Sequence, residues 1–566
     1  MHRRHRAALA AAAVVTLAAL VGCSSGPPLV RAGGTTAPPT APVSADPSVL
    51  APAPTAPAPA TAATTAPAPG STAAATSTAA AGAPASSPAP APPSPVASGP
   101  PGAVAPSAGY AAPALAWKPC EGTFECASLV VPVDYAAPGG PTLPVALIRR
   151  PAGDRVRRLG SLVVNPGGPG GSGVDFVRDN SEVFSPTLRA RFDVVGFDPR
   201  GVGRSRGVDC TTDTQLDTFF HDDPVPVSAA ARSTYTRDSK SFAHRCGTSA
   251  GTLLGHVGTV EAARDLDVLR TALGEVKLTY FGYSYGTYLG ATYAQLFPTH
   301  LRAAVLDGVV DPSLDLVGFV QGQAKAFEAA LDRWFAWCTP AQSCSFAGRG
   351  GRTSQQRFDA LAAGLRAHPL AVRSRSLGPG EFSYGVGYAM YSRSLWPDLA
   401  VALTAAEGGD GAGLLALSDS YTSRSPSGHY DDATDANYAV NCLDHVGPRT
   451  EQGWYDAAAA VRAAAPRLGE AIVYNTLPCA YWPVPARPTF AVRAAGAPPI
   501  LLVGTTHDPA TPYAWAQSTA RQLASSVLLT HDGDGHTAYG PGVPCVVQAA
   551  DRYLVDLLPP AAGTRC

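Results

Sequence analysis

The sequence predicts an α/β fold in which helices cover both faces of an open, mostly parallel sheet. Short apolar runs alternate with helical periodicity from residue 145 to residue 307, and strand patterns return at residue 499. Several of these runs are almost continuously apolar, which is typical of parallel strands buried on both faces. Between residues 311 and 480 the pattern indicates helices and loops. Because the late strands have no core of their own, we expect one sheet interrupted by a helical insertion that covers one end of it.

Seven strands are predicted in chain order, at 145–149, 161–165, 193–197, 278–283, 303–307, 499–504 and 527–531. Before the fourth strand, Thr259 is expected to cap a helix, because apolar residues follow it at helical spacing. Another helix is expected directly after that strand, over 287–297. Within the insertion, the periodicity predicts helices over 319–337 and 384–405.

The first 22 residues have the pattern of an export signal. Basic residues at 3–6 precede a 15-residue apolar run at 7–21, which as a helix would reach about 22 Å, less than the ~30 Å hydrocarbon core of a bilayer. A secretory signal peptide over 1–22 is therefore predicted. The sequence Leu20-Val-Gly-Cys23 resembles the lipobox of bacterial lipoproteins, which implies a lipid on Cys23 and a place on the outer face of the membrane. The alternative is an ordinary cleaved signal peptide, a secreted protein and an incidental cysteine.

The segment 23–112 is expected to be a disordered tether rich in Pro, Ala, Thr and Ser. Between residues 24 and 116 there are 22 of the 55 prolines, and only Arg31 and Asp46 are charged. Such a segment buries too little apolar surface to offset the entropy of ordering it. The net charge of the whole chain is −1, which excludes the broad basic surface that nucleic-acid binding requires.

Ten cysteines remain after Cys23, an even number that favours five disulfides in an exported chain. Sequence neighbours lie within one local segment, so pairing in sequence order is expected. None has the spacing of a zinc site, so neither a metal nor another cofactor is expected. The ten are Cys120, Cys126, Cys210, Cys246, Cys338, Cys344, Cys442, Cys479, Cys545 and Cys566.

Two Gly-x-Ser-x-Gly motifs are present, and their contexts differ. The motif around Ser205 lies in a Gly/Arg-rich loop, whereas the motif around Ser284 ends a predicted strand and opens a predicted helix. Strand–turn–helix is the context of a nucleophile elbow, in which flanking glycines make room for the tight turn. Ser284 is therefore the candidate nucleophile, and Ser205 is the alternative.

On such a sheet a carboxylate and then a histidine are expected after later strands. Asp508 follows the strand at 499–504, and His536 follows the strand at 527–531. His531 is the alternative histidine, while His507 precedes the carboxylate and breaks the order. Thr511, one turn beyond Asp508, is placed either to hydrogen-bond within this group or to begin a helix.

Two backbone donors are needed for the oxyanion of an acyl-transfer intermediate. One is expected to be the N–H of Tyr285, after the nucleophile, and the other to come from the glycine-rich loop that follows the strand at 161–165. Gly168 is the candidate there, with Gly167 as the alternative. A phosphate-binding loop is disfavoured, because Pro169 interrupts the helix start and no Lys-Ser/Thr pair follows.

The motifs Asn165-Pro-Gly-Gly-Pro-Gly-Gly, Asp198-Pro-Arg-Gly-Val-Gly-Arg-Ser205 and Gly282-Tyr-Ser-Tyr-Gly286, with the late Asp and His, resemble the α/β-hydrolase serine peptidases of the proline iminopeptidase group. More narrowly, they resemble the secreted tripeptidyl aminopeptidases of actinobacteria and their envelope lipoprotein relatives. The resemblance implies an α/β-hydrolase core in two parts, 113–310 and 481–566, with a helical lid over 311–480. It also implies a Ser-His-Asp triad that releases short peptides from free N-termini. Simple proline iminopeptidases carry a His where this loop begins with Asn165.

An aminopeptidase must hold the substrate ammonium, which calls for a carboxylate in the lid. Asp444 is the preferred candidate, and Asp431, Asp432 and Asp435 are the alternatives. Two other hypotheses remain at this stage: an ester hydrolase with the same catalytic residues, and a non-catalytic lipoprotein that binds peptides or partners through the lid.

Overall fold

The computed structural model describes Tyr110 and residues 113–566. The predicted signal peptide, Cys23 and all of the predicted tether except Tyr110 lie outside the described residues. Within the described part, no helix has both the length and the apolar character needed to cross a membrane.

Eleven strands are present among the described residues. They are β1 (Lys118–Pro119), β2 (Glu125–Pro132), β3 (Thr142–Arg150), β4 (Gly160–Asn165), β5 (Phe192–Phe197), β6 (Leu278–Tyr283), β7 (Leu301–Asp307), β8 (Leu370–Val372), β9 (Arg375–Leu377), β10 (Ile500–His507) and β11 (Ser526–Asp534).

Nine of these strands form one sheet in the order β1-β2-β3-β5-β4-β6-β7-β10-β11. The six strands from β5 to β11 in that order pair in parallel, and β1, β2 and β3 add an antiparallel edge. The prediction of a mostly parallel sheet is confirmed, and each of the seven predicted strands overlaps an observed one. The edge strands β1 and β2 were not predicted, since β1 has only two residues and the first half of β2 is only partly buried, which leaves a short apolar run.

Sixteen α-helices accompany the strands in the described part. They are α1 (Gly173–Asn180), α2 (Pro186–Arg191), α3 (Asp213–His221), α4 (Ala229–Ala250), α5 (Thr259–Ala272), α6 (Tyr285–Leu296), α7 (Leu316–Trp337), α8 (Ser354–Ala367), α9 (Pro379–Met390), α10 (Trp396–Glu407), α11 (Ala412–Thr422), α12 (Ala433–Asp444), α13 (Glu451–Val461), α14 (Gly469–Tyr474), α15 (Tyr513–Gln522) and α16 (Pro544–Asp556).

Alternate residues of the central strands pack into different hydrophobic clusters. Val163 and Val195 belong to one cluster, whereas Leu162 and Val164 belong to another. Because successive side chains of a strand point to opposite faces, the sheet has a core on each side. This burial on both faces is the physical origin of the continuous apolar runs in the sequence.

The chain between β7 and β10, called here the helical region (311–480), contains α7 to α14. It has a hydrophobic cluster of its own around buried aromatic side chains such as Trp334 and Trp396. It also contains the β8–β9 hairpin, which was not predicted because three-residue strands are too short to show a period.

The single helix predicted over 384–405 is wrong. The chain forms two helices, α9 and α10, separated by residues 391–395. Pro397 lies in the first turn of α10, where its missing N–H is tolerated, but in the middle of a longer helix it would clash with the preceding turn.

The predicted capping role of Thr259 is also wrong. Gly258 is the N-cap of α5, and Thr259 is the first helical residue. Its backbone N–H is satisfied by the carboxylate of Asp444, which lies 3.0–3.1 Å away on α12. A side chain distant in sequence therefore caps this helix.

Five disulfides join the ten cysteines in sequence order, as expected. They are Cys120–Cys126, Cys210–Cys246, Cys338–Cys344, Cys442–Cys479 and Cys545–Cys566.

Candidate active site

Ser284 lies at the sharp turn between β6 and α6. Its backbone has φ 53° and ψ −124°, a conformation that a residue with a Cβ rarely adopts and that marks stored strain. Its N–H donates to the carbonyl of Asp307 at 2.9 Å. A Cβ added to Gly282 would lie 2.3 Å from the carbonyl oxygen of Gly286, so the first glycine of the motif is sterically required. The turn presents Ser284 at the carboxyl ends of the parallel strands.

His536 and Asp508 form a buried pair at the same end of the sheet. The Nδ1 of His536 lies 2.9 Å from both carboxylate oxygens of Asp508, and both side chains are fully buried. Asp508 also accepts the backbone N–H groups of Ala510, Thr511 and Thr537 at 2.8–3.2 Å and the hydroxyl of Thr511 at 2.9 Å. Thr511 therefore hydrogen-bonds within this group, one of the two roles considered for it.

The other ring nitrogen of His536 is free. Among the described residues, Nε2 is buried and has no hydrogen-bond partner. A carboxylate at Nδ1 holds the proton on that nitrogen and leaves a lone pair at Nε2, the tautomer that a general base requires. Nε2 makes no hydrogen bond to Ser284, a contact that often tightens only when substrate binds.

Asp307, which the sequence analysis treated only as the end of a strand, anchors the segment after His536. Its carboxylate accepts the backbone N–H groups of Ala538 and Tyr539 at 2.7–3.0 Å. Burial raises the pKa of Asp307 to about 6. The signal that the sequence offered was an aspartate at the end of the apolar run at 303–307.

The glycine-rich loop after β4 lies directly beside Ser284. A Cβ on Gly167 would come within 2.8 Å of the Cβ of Ser284. The N–H of Gly167 is already engaged, because it donates to Oδ1 of Asn165 at 3.0 Å. The carbonyl of Gly167 accepts the N–H of Gly171 at 3.2 Å. Since N–H and C=O point in opposite directions in a trans peptide, this contact turns the N–H of Gly168 away from Gly171.

These contacts favour Gly168 over Gly167 as the loop donor of an oxyanion hole. Tyr285 is the first residue of α6, where a helical N–H has no acceptor within its own helix. Its N–H is the second donor that the local geometry leaves available.

Helix α12 holds the glycine-rich loop from the other side. Nδ2 of Asn437 donates to the carbonyl of Pro169 at 3.0 Å, and Nδ2 of Asn441 donates to Oδ1 of Asn437 at 3.0 Å. A Cβ on Gly170 would lie 2.4 Å from the carbonyl oxygen of Ala433. Loop and helix are therefore in close contact, a feature that motif analysis did not find because the partners are far apart in sequence.

A cavity of about 380 Å³ opens beside this loop and is lined by both the core and the helical region. Aromatic side chains such as Phe176, Phe219, Tyr388 and Tyr438 form much of its wall. Among the described residues that line it, the charged side chains are Asp175 and Asp431, and none is basic. The cavity is therefore suited to an apolar ligand with a positive group.

The structure does not bring Asp444 to this cavity. Both oxygens of its buried carboxylate accept hydrogen bonds from Thr259, and burial raises the pKa of Asp444 to about 7. Asp432 accepts the N–H of Gly203 at 2.7 Å, and Asp435 accepts the N–H of Cys210 at 2.6 Å. These three carboxylates hold backbone segments together.

Asp431 is the member of the predicted acidic set that lines the cavity. The other acid there, Asp175, is paired with Arg178 at 2.6 Å and with Arg204 at 2.8 Å. Asp431 accepts the N–H of Ala433 at 3.1 Å and has a side-chain hydrogen bond with Ser423, and no arginine or lysine is among its partners in the described part of the chain.

The alternative residues lie elsewhere. Ser205 is buried, donates to the carbonyl of Asp198 at 2.6 Å and accepts the N–H of Ala146 at 2.8 Å, so it stabilises a turn. His507 and His531 lie on β10 and β11. Within the described residues, the histidine that contacts Asp508 is His536.

One group of potential metal ligands occurs in the described part, formed by Cys210, Cys246 and Asp435. Its two sulfurs are joined in a disulfide, whereas a cysteine binds a metal as a free thiolate. These residues therefore do not fit a metal site.

The chain is similar to one family model and to several known hydrolases. A family model described as TAP-like protein matches residues 465–566. Serine protease Hip1 of Mycobacterium tuberculosis is 38% identical over 476 residues, which cover 80% of this chain and 90% of that protein. Carboxylesterase B of the same species is 38% identical over 495 residues, covering 84% and 94%. Tripeptidyl aminopeptidase of Streptomyces lividans is 34% identical over 480 residues, covering 82% and 89%.

Proposed function

The chain belongs to the TAP-like family of α/β-hydrolases, and from this membership and the geometry of the site we propose that it is a serine peptidase releasing short peptides from free N-termini. The observation that carries the proposal is the buried Asp508–His536 pair, whose free Nε2 lies at the same end of the sheet as the strained Ser284. This arrangement matches the requirements of a nucleophile, a base and an orienting carboxylate.

In the proposed reaction, Oγ of Ser284 attacks the carbonyl carbon of the scissile bond while Nε2 of His536 takes its proton. Asp508 keeps the imidazole oriented and stabilises its positive charge. The N–H groups of Tyr285 and Gly168 bind the oxyanion. His536 then protonates the leaving amine, and an acyl-enzyme forms. Water, activated by the same imidazole, hydrolyses the acyl-enzyme and releases the N-terminal peptide.

The charge of the cavity supports cleavage near a free N-terminus. A substrate ammonium would meet acidic side chains and no basic one. We assign the ammonium to Asp431 rather than to Asp444, because the carboxylate of Asp444 is occupied by Thr259. Hydrogen bonds between an ammonium and a carboxylate are about twice as strong as neutral ones. In this proposal the helical region (311–480) forms the lid over the site.

An ester hydrolase is the second candidate function. The observation that favours it is the 38% identity to a protein named carboxylesterase B. A Ser-His-Asp triad can hydrolyse esters as well as amides, so the measured substrate preference distinguishes the two candidates.

The proposed location is outside the cytoplasmic membrane. Five disulfides among the described residues support it, because such bonds persist in oxidising compartments. The lipid on Cys23 rests on the sequence pattern at 20–23.

The test compares three substrates of the full-length protein: a fluorogenic Ala-Ala-Pro amide with a free N-terminus, its N-acetylated form and a short-chain ester. We expect acetylation to lower kcat/KM by about 100-fold or more, because it removes the charge that the acidic cavity binds. Asp431→Asn should reduce this preference, whereas Asp432→Asn, the neighbouring control, should preserve it. Ser284→Ala should abolish turnover. Equal cleavage of the acetylated amide would reject the aminopeptidase, and turnover of the ester alone would favour the second candidate.

A further inference from the structure

The loop that carries His536 is attached to the helical region at the break between α9 and α10. Residues 391–393 are called here the latch segment, and residues 534–536 the histidine loop. The backbone N–H of His536 donates to the carbonyl of Tyr391 at 2.8 Å. Ser392 and Gly535 form an isolated antiparallel bridge. The two segments therefore pair through their backbones, although they come from different parts of the fold.

Side chains reinforce this backbone pairing. Asp534 accepts a hydrogen bond from Arg393 at 2.9 Å and another from Arg333 on α7. The Asp534 side chain is only 5% exposed. Two arginines of the helical region thus enclose one carboxylate of the histidine loop, and a partly buried pair of this kind is screened by water less than an exposed one.

Tyr391 contacts both the imidazole and the cavity. Its ring lies edge-to-face against the His536 ring, with centroids 5.4 Å apart and an interplanar angle of 87°. The same residue lines the substrate cavity. The carboxylate of Asp508 holds the imidazole of His536 at Nδ1. The ring of Tyr391 adds a second contact to the imidazole, and the carbonyl of Tyr391 holds the backbone of His536.

We propose that the latch segment and Asp534 position His536. The helical region then orients a catalytic residue in addition to covering the site. Tyr391 and Asp534 are positioning residues, since they act through His536. The physical reason is that Nε2 must meet Oγ of Ser284 within a few tenths of an ångström, and a displacement of about 1 Å costs on the order of 100-fold in rate. The inference rests on the proposed function only in taking His536 as the base.

The test is a double-mutant cycle on the full-length protein with Asp534→Ala, Arg393→Ala and the double variant. Each single variant should lower kcat by about 10- to 100-fold while KM changes by less than about twofold. The double variant should lose about as much as Asp534→Ala alone, because that variant has already lost the interaction with Arg393. The rate of Ser284 labelling by a small fluorophosphonate should fall in parallel, since labelling needs the base but does not need the peptide cavity.

Two further variants separate positioning from general destabilisation. Asp359→Ala removes a carboxylate that Arg467 binds at 2.8 Å elsewhere in the helical region, and it should leave labelling within about twofold of the parent. Asp534→Asn keeps the shape of the side chain and should lower kcat by less than Asp534→Ala does. This variant serves as the test if the alanine variant folds poorly. Thermal unfolding monitors the fold in each case.

Normal labelling by both Asp534 variants, or a raised KM with normal labelling, would overturn the inference, because the latch would then shape only the cavity. Persistent labelling of Ser284→Ala would instead overturn the proposed nucleophile. Failure of the inference and failure of the proposed function are therefore distinguishable.

Discussion

At the scale of single residues, Asp508 is the most constrained group of the site. Three backbone N–H groups, the hydroxyl of Thr511 and Nδ1 of His536 all approach its two oxygens. Every one of these contacts requires an acceptor. An amide at this position would keep one acceptor oxygen, but its NH2 group would face groups that are themselves donors.

Asp508→Asn should lower kcat by about 10³- to 10⁴-fold with little change in KM. An amide N–H facing Nδ1 forces the proton of His536 onto Nε2, so the imidazole cannot accept the proton of Ser284. Thr511→Val, the control, removes the hydroxyl hydrogen bond to the same carboxylate but leaves the proton of His536 on Nδ1, and it should lower kcat only about tenfold. Steady-state kinetics on the fluorogenic tripeptide amide measure both effects. A similar loss in the two variants would contradict the tautomer argument.

At the scale of elements, the helical region contacts the two loops that carry the reaction. Helix α12 holds the glycine-rich loop through Asn437, and the latch segment holds the histidine loop. The hydrophobic cluster around Trp334 and Trp396 packs against Tyr391 of the latch segment, whereas Ala439 and Val440 of α12 belong to the cluster that also contains strand residues of the sheet. The helical region therefore contributes to the order of the catalytic loops.

Asn437→Ala should lower kcat by about tenfold with KM within twofold, because the loop that offers the N–H of Gly168 loses its external support. The affinity for a peptide boronic acid, which forms a tetrahedral adduct with the serine, should fall by the same factor. Asn441→Ala removes only the hydrogen bond that Asn441 donates to Asn437 and should lower kcat by about twofold. An unchanged boronate affinity combined with a raised KM would assign Asn437 to ground-state binding instead.

At the scale of the whole molecule, several buried carboxyl groups accept hydrogen bonds from backbone N–H groups, and their pKa values are higher in the folded state than in the unfolded chain. Burial raises the pKa of Asp444 and of Asp432 to about 7 and that of Asp307 and of Asp435 to about 6, against about 3.9 in an unfolded chain. At a pH between about 3.9 and these raised pKa values, the folded state binds protons that the unfolded state has lost. The free energy of unfolding therefore falls as the pH rises through 6 and 7.

Asp444→Asn should make this decline shallower. The carboxyl group of Asp444 contributes up to one proton, or about 1.4 kcal/mol per pH unit, to the slope below pH 7. The measurement is the midpoint of urea unfolding at pH 5, 6, 7 and 8 with the disulfides intact. Asp359→Asn, which removes a carboxylate that is 52% exposed, controls for the loss of one charge. Equal slopes for Asp444→Asn and the parent protein would contradict the prediction.

Local patterns in the sequence predicted the mostly parallel sheet and the order of Ser284, Asp508 and His536 after successive strands, and they led us to expect the cysteine pairing that the structure shows. These features are local: burial on both faces gives each strand its apolar run, and the nucleophile elbow lies within five residues. Once parallel strands are placed side by side, residues after their carboxyl ends meet at one edge. The candidate triad could therefore be proposed before any tertiary contact was known.

Three features needed the tertiary structure: which carboxylate of the helical region lines the cavity, which residue caps α5, and how the helical region contacts the loops that carry the candidate catalytic residues. Asp444 and Thr259 are 185 residues apart, and Asn437 and Pro169 are 268 apart. Nothing in the local pattern around either partner marks such a pair, because its geometry depends on how whole helices pack. The break at 391–395 illustrates this: Pro397 explains why the longer helix is interrupted, but only the backbone pairing of Tyr391 and Ser392 with residues 535–536 shows why His536 lies beside the break.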